Sequence, residues 1–199
     1  MIADPREMKL GLADYLSFGI DEHREREIIR GKLYSSPKPY LNHQVILSRL
    51  TILLSRYVES MGDDDRQVVY HSDLLIDSRN TYVSPDLMYF NKEQMPALVQ
   101  IARAGERISI DVAFPVMVAE VLSEYTRDRD LVAKPDEYEQ AGIRHYWIID
   151  PQERSFREFV LDETTGRYRM FASAGGVARP KLFADNEPPF DLDLDSLFR

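Results

Sequence analysis

The clearest periodicity in the chain lies between residues 41 and 61. Leu41, Val45, Ile46, Leu50, Leu53, Leu54, Tyr57 and Met61 recur at spacings of three and four, and Gly62 follows. This predicts a long amphipathic helix closed by glycine, with Asp63-Asp64-Asp65 as a solvated turn. Upstream, Leu10, Leu12, Tyr15, Leu16 and Phe18 predict a short helix in residues 1–20 that docks on the rest. Glu27–Tyr34, with Gly31 near its centre, predicts a hairpin. Ser35-Ser36-Pro37-Lys38-Pro39 predicts a loop, because prolines interrupt a strand.

Beyond the long helix, Gln67–Asp77 and Thr81–Phe90 each predict a strand, 91–105 a helix ending on Gly105, and Arg107–Asp111 a short strand. Val116–Leu122 and Arg144–Ile149 are apolar on both faces, the mark of buried strands. Between them Asp130–Ala141 reads as a helix with Gly142 beyond its end. Strand, helix and strand with short connections form a βαβ unit, so the two strands should be parallel with a right-handed crossover. Phe156–Leu161 and Arg167–Phe171 flank a turn at 162–166 and predict a second hairpin. The tail Pro188–Leu194 alternates apolar and acidic residues, as an edge strand guarded by charge would. The fold class expected is α/β: a mixed β-sheet core flanked by helices, with one parallel βαβ crossover. At 199 residues the chain suits one domain over 1–199, embellished by segment 1–20 and the tail 185–199.

Composition narrows the chemistry. The chain has no cysteine, which removes disulfides, thiolate metal sites and cysteine nucleophiles. It opens with no basic-then-apolar run and contains no apolar stretch of membrane-spanning length, so a cytoplasmic protein with no membrane partner is expected. A net charge of −9 argues against non-specific coating of nucleic acid. It leaves room for an acidic site that first acquires a metal and then accepts a phosphodiester.

Two acidic residues interrupt apolar strands. Glu120 lies within Val116–Leu122, and Asp86 follows Pro85 within Thr81–Phe90. Each has a bland explanation alone: a salt-bridged strand end for Glu120, a Pro-Asp turn for Asp86. Together they suggest a shared hard cation such as Mg²⁺ or Mn²⁺, held by oxygen ligands and water. Asp130, Lys134 and Tyr138 are four residues apart and stack on one helix face. Such a face can be a surface ion pair, worth under about 1 kcal/mol. It can also bring an ammonium to the carboxylates, where it would orient water and stabilise developing charge.

Four blocks of residues carry a resemblance. They are Ser84-Pro85-Asp86; Ala119-Glu120-Val121-Leu122-Ser123; Asp130, Lys134 and Tyr138; and Ala141-Gly142-Ile143 with Tyr146-Trp147-Ile148-Ile149-Asp150-Pro151. With these the chain resembles a bacterial family of restriction-endonuclease-like proteins, once grouped as a domain of unknown function, within the PD-(D/E)XK nuclease superfamily. The resemblance implies that Asp86 and Glu120 bind the metal and that the Val121 carbonyl adds a ligand. The superfamily places a lysine two residues after the Glu, where this chain has Leu122; the implied substitute is Lys134, migrated to the next helix. Pro135 follows it directly and biases it away from helical geometry, so a break before the helix is expected. Glu27 and His43 are auxiliary candidates, His43 in a neutral role because a helix N-terminus disfavours its charged form. His145 reads as structural, and no zinc spacing, phosphate-cradling glycine loop or serine-nucleophile motif is present.

The function implied is Mg²⁺- or Mn²⁺-dependent endonucleolytic hydrolysis of phosphodiester bonds, with nucleic acid, and DNA first, as the expected partner. The expected products are a 5′-phosphate and a 3′-hydroxyl. A homodimer would suit cutting of two strands. The alternative is a non-catalytic binding or accessory module that keeps the nuclease fold, which the acidic charge, Leu122 and Pro135 favour.

Overall fold

The computed structural model describes residues 9–19, 21–62, 66–183 and 187–199. The expected turn at Asp63-Asp64-Asp65 and the start of the N-terminal segment lie outside these residues. A short helix α1 (Leu12–Ser17) precedes the hairpin β1 (Arg24–Ile29) and β2 (Lys32–Pro37). The hairpin turns through Arg30 and Gly31, both at positive φ, and a Cβ at Gly31 would meet Lys9 at 2.7 Å, so glycine is needed there. Ser35 and Ser36, expected in a loop, extend β2 instead, because they pair with Arg26 and Glu25 across the hairpin. Pro37 ends the strand, at its last residue.

Helix α2 (Leu41–Ser60) is followed by β3 (Gln67–Tyr70), β4 (Leu74–Ile76), β5 (Thr81–Val83), β6 (Leu87–Phe90), α3 (Met95–Ala104), β7 (Ile108–Ser109) and β8 (Met117–Val121). Then come α4 (Lys134–Ala141), β9 (His145–Asp150), β10 (Ser155–Asp162), β11 (Arg167–Ala174), β12 (Val177–Ala178), β13 (Leu192–Asp193) and α5 (Leu194–Leu197). Strands order as β11-β10-β9-β8-β6-β3 in one sheet and β2-β1-β5-β4-β7 in another. The expected parallel crossover is present: Met117–Val121 pairs with His145–Ile149 in parallel, Glu120 opposite Ile148.

Two strands expected to be continuous are each divided between the sheets. Gln67–Asp77 breaks between β3 and β4, where His71 takes φ 49°. Thr81–Phe90 breaks at Ser84-Pro85-Asp86, because Pro85 has no N–H for a ladder. The two breaks adjoin, joined by the His71 N–H donating to the Asp86 carbonyl at 3.3 Å. There are therefore two principal sheets rather than one, and β4 and β7 make a second parallel pair.

The buried strands of the larger sheet serve two cores. Leu87, Tyr89, Met117, Ala119, Val121, Trp147 and Ile149 face α2, packing on Ile46, Leu50 and Leu54. Met88, Val118, Leu122, Tyr146 and Ile148 face the other way, against Leu98 and Ile101 of α3, Tyr138 of α4, and Leu74, Ile76 and Val83 of the second sheet. Strand alternation puts Glu120 on this second side with Val118 and Leu122, toward α4. The tail supplies an edge strand, β13, which pairs only with β12 among the described residues and turns Asp191 and Asp193 outward, but it also packs. Phe190, Leu192, Leu194 and Leu197 are buried in the α2 core, so the apolar half of the alternation marks packing and only the acidic half faces out.

Candidate functional site

The site sits where β6 and β8 part. Their pairing covers Leu87–Tyr89 with Met117–Ala119, so β8 outruns its partner at Glu120 and Val121. The break at Ser84-Pro85-Asp86 turns the Asp86 side chain into this gap. The Val121 N–H donates to Asp86 Oδ2 at 2.8 Å, and the Asp86 N–H lies 3.4 Å from Glu120 Oε2. Glu27 of β1 closes in from the second sheet, its Oε1 accepting from the Ser84 N–H at 3.0 Å.

Lys134 enters from the next helix. Its Nζ lies 2.7 Å from Glu120 Oε1, 3.0 Å from Asp130 Oδ1 and 3.1 Å from Glu27 Oε1. The Tyr138 hydroxyl donates to Glu120 Oε1 at 3.2 Å, and Arg129 Nε stands 2.8 Å from Glu27 Oε2. Lys134 is 2% exposed, Asp130 1% and Tyr138 0%, so this helix face is not a solvated ion pair. The break expected before Pro135 takes a particular form. Residues 129–133 make a wide π turn, in which the Lys134 N–H bonds back to the Arg129 carbonyl. Lys134 itself keeps helical angles, φ −65° and ψ −40°, so Pro135 does not push it into extended space. Pro135 stands in the first turn of α4; the Asp130 carbonyl, which an N–H at position 135 would meet in the same π pattern, accepts from the Tyr146 hydroxyl at 2.7 Å instead.

His43, in the first turn of α2, sets Nε2 3.0 Å from Asp86 Oδ2. Five predicted residues (Glu27, His43, Asp86, Glu120 and Lys134) thus line one cleft, joined by Glu25, Ser84, Ser123, Thr126, Arg129 and Asp130. A sequence profile of the Uma2 family, described as "Putative restriction endonuclease", matches residues 12–184, which hold every residue of this cleft. The chain belongs to the Uma2 family.

A second comparison concerns the fold. The crystal structure of a putative nuclease belonging to DUF820 from Anabaena variabilis ATCC 29413 superposes with a TM-score of 0.69 at 18% identity, covering 95% of this chain and 97% of that one. The match gives the Uma2 chain the same mixed α/β architecture. No curated protein matches it significantly. Among the described residues no helix is long and apolar enough to cross a membrane.

The cleft of this Uma2 protein carries surplus negative charge. Glu25, Glu27, Asp86, Glu120 and Asp130 line it against Arg129, Lys134 and the imidazole of His43. Burial holds the Glu120 carboxyl well above the usual range; Lys134 pulls it down, but Asp130, Asp86 and Glu27 push it further up. Burial likewise raises Asp130. For Lys134, burial works against the charge, yet Asp130, Glu120 and Glu27 together hold it well above an ordinary lysine. One ammonium shared by three carboxylates explains both directions: the lysine stays protonated and the carboxylates remain short of positive charge. The shift of His43 runs opposite to the one expected from the helix terminus. Burial lowers its pKa, but the hydrogen bond and charge of Asp86 outweigh burial and raise it, a closer influence than the helix terminus.

A hard cation fits this chemistry. The donors are carboxylate oxygens with no sulfur, and the free volume of about 20 Å³ admits a single water-sized species. Asp86 is more open than Glu27, Glu120 or Asp130, its side chain 13% exposed against 3%, 4% and 2%, and its Oδ1 has no hydrogen-bond partner among the described residues. The carbonyl of an extended residue leaves the strand on the side of its own N–H, so Val121, whose N–H meets Asp86, turns its carbonyl to the same gap. Among the described residues no three imidazole or carboxylate groups surround one point. A cation here would therefore rest on Asp86, Glu120, the Val121 carbonyl and water, a set that suits Mg²⁺.

Glu25, Thr126 and Arg129 line the cleft without having been picked out from the sequence. Glu25 shares a strand face with Glu27 by its spacing of two, a signal that was there to use. Arg129 lies in Arg127-Asp128-Arg129-Asp130, a run that looks like a solvated loop until the β1–β2 hairpin covers it.

Proposed function

We propose that this protein is a metal-dependent endonuclease that hydrolyses phosphodiester bonds, with DNA as substrate and Mg²⁺ or Mn²⁺ as cofactor. The observation that carries the reading is the buried Lys134 ammonium, 2.7 Å from Glu120 beside a strand break that presents Asp86. Asp86, Glu120 and the Val121 carbonyl would hold the cation, which when bound supplies Lewis acidity and a more acidic water.

The chain's own residues do the positioning. Lys134 and Tyr138 both bind Glu120 Oε1, which leaves Oε2 turned toward Asp86. His43 and the Val121 N–H both bind Asp86 Oδ2 and fix that carboxylate in turn. Lys134 keeps its proton, so it acts as a donor: it orients a water or stabilises charge on a phosphoryl oxygen, not as a base. Glu27 and Asp130 hold the ammonium in place from the far side. A neighbouring groove of about 180 Å³ shares Ser84 with the cleft and is lined by Arg24, Arg26 and Arg107 against Asp21 and Asp73. Three arginines beside the cleft suit the phosphates of a polyanion that the acidic cleft alone would repel. Action in the cytoplasm, as a homodimer, is the setting this reading expects.

A non-catalytic binding module is the second reading. It is favoured by the complete engagement of Lys134 with three carboxylates and by the small cleft. One experiment decides between them: purified protein with Mg²⁺ or Mn²⁺ is incubated with single- and double-stranded DNA and with RNA, beside Glu120→Ala. The nuclease reading expects fragments bearing 5′-phosphates from the wild type alone. Equal cleavage by both proteins, or none by either, removes it.

A further inference from the structure

Two aromatic rings stand in water at the mouth of the cleft. Tyr40 directly follows Pro39, which lines the cleft, and Tyr125 lies between two lining segments, Ser123 and Thr126. Tyr40 is 65% exposed and Tyr125 47%, and neither joins a hydrophobic cluster. Their ring centroids lie 6.1 Å apart with the planes inclined at 52°, and their hydroxyls are 3.0 Å apart. The contact bridges the start of α2, which carries His43, to the loop after β8, which carries Glu120.

The choice of residue at position 40 is locally unfavourable. Tyr40 occupies the N-cap of α2 and makes no side-chain cap bond, where Ser, Thr, Asp or Asn would satisfy a free helix N–H. Leu41, next to it, is 79% exposed. A position that breaks the capping rule and leaves an aromatic ring mostly in water is the kind expected at a functional surface.

We propose that Tyr40 and Tyr125, held against each other, form a two-ring clamp whose outer, exposed faces stack an unpaired base beside the scissile phosphate, so that the substrate is single-stranded or locally unpaired nucleic acid. The proposal rests on the nuclease reading. In a duplex, base faces are covered by their neighbours, and an exposed aromatic ring has nothing to stack on until a base is extruded or the strand is single. Stacking is tolerant of sequence, because every base has a π face, and the cleft walls near these tyrosines include Pro37 and Pro39 rather than base-reading amides. The two hydroxyls hold the rings together without contributing to the stack itself.

The test uses a single-stranded DNA oligonucleotide carrying 2-aminopurine, whose fluorescence falls on stacking, with the full chain carrying Glu120→Gln so that the probe stays intact. Binding should quench the probe. Tyr40→Ala and Tyr125→Ala should each weaken binding about 5- to 100-fold, the range for loss of one base–aromatic stack, while Tyr40→Phe and Tyr125→Phe stay within about 2-fold. The same label inside a duplex should be quenched much less. Absence of quenching, Ala variants that bind like the parent, or Phe variants that lose as much as Ala variants overturns the clamp; the last result would make the pair a structural clasp. The two readings separate cleanly. Duplex cleavage by wild type and both Ala variants alike ends the clamp and keeps the nuclease. Quenching that depends on both rings, with no cleavage under any metal, ends the nuclease and keeps the clamp.

Discussion

Lys134 reaches Glu120 at 2.7 Å from the first residue of the helix that follows, not from the strand that carries the acid. Its place is held by Asp130 one turn earlier and by Glu27 from another sheet. If the ammonium serves the reaction, Lys134→Met should lower cleavage with Mn²⁺ by about 10²- to 10³-fold, the usual loss for one stabilising donor. It should also destabilise the fold by about 3–5 kcal/mol in denaturant unfolding, since three buried carboxylates lose their counter-charge. Loss of stability with cleavage intact would reduce Lys134 to a structural counter-ion.

Glu120→Gln separates stability from function in the opposite sense. Burial already disfavours the Glu120 carboxylate, and the amide keeps its size and an oxygen for Lys134 and Tyr138. The melting temperature should therefore hold or rise, while Mn²⁺ affinity by titration falls at least about 10-fold, as expected when a hard cation loses an anionic ligand. Unchanged Mn²⁺ affinity would remove Glu120 from the proposed metal set.

What could be read from the chain alone follows burial. Helix α2, β8 and β9 are legible because each is apolar on one face or on both, and the pattern reports that directly; α4, which buries Lys134, Glu137 and Tyr138, and the largely exposed β11 are legible from the glycine and turn residues that bound them. The division of Gln67–Asp77 and Thr81–Phe90 between two sheets is not legible, because partner choice is non-local; Pro85 signals a kink but not where the chain goes next. In the cleft, Asp86 and Glu120 stand out as charges in apolar runs. Lys134 is found by resemblance, since i,i+4 spacing alone fits a surface pair equally well. Arg129 becomes visible only once the hairpin folds over it.

Glu137 shows how the lysine-bearing helix is anchored. Its carboxylate, 0% exposed, accepts from Arg79 through Nε and a terminal nitrogen at 2.9 Å each, from the Thr81 hydroxyl at 2.7 Å, and from Arg30 at the hairpin turn. Burial raises its pKa, but the bonds from Arg79, Thr81 and Arg30 outweigh burial and hold it below its ordinary value of 4.5. A depressed carboxyl stabilises the fold above the unfolded pKa and loses that contribution as pH falls through the folded one. Wild type should thus lose stability below about pH 4.5 more steeply than Glu137→Gln. At pH 7 the variant should be about 2–4 kcal/mol less stable, a value reduced from the fully buried case because Arg30 is more than half exposed. Parallel pH–stability curves for the two proteins would show that Glu137 does not anchor α4.

Glu158 plays a similar part on the far side of β9. It is 1% exposed, and its carboxylate meets His145 Nδ1 at 3.1 Å, the Trp147 indole N–H at 3.0 Å and the Lys181 backbone N–H at 2.7 Å. The acid therefore ties β9 and β10 to the segment beyond β12, and it gives His145 the structural role expected of it. Trp147 is the chain's single tryptophan, fully buried against Phe156 and Phe190, so its fluorescence reports this region without a label. Glu158→Ala leaves the indole N–H and the Lys181 amide without their acceptor, at a cost of about 1–3 kcal/mol for each group that stays dry. The expected outcome is a destabilised protein whose tryptophan emission moves to longer wavelength as water enters to replace the carboxylate. Glu158→Gln, which keeps one carbonyl acceptor, should shift less. An Ala variant with unchanged emission and unchanged unfolding midpoint would mean that neighbouring groups satisfy both donors and that the acid does not hold these strands together.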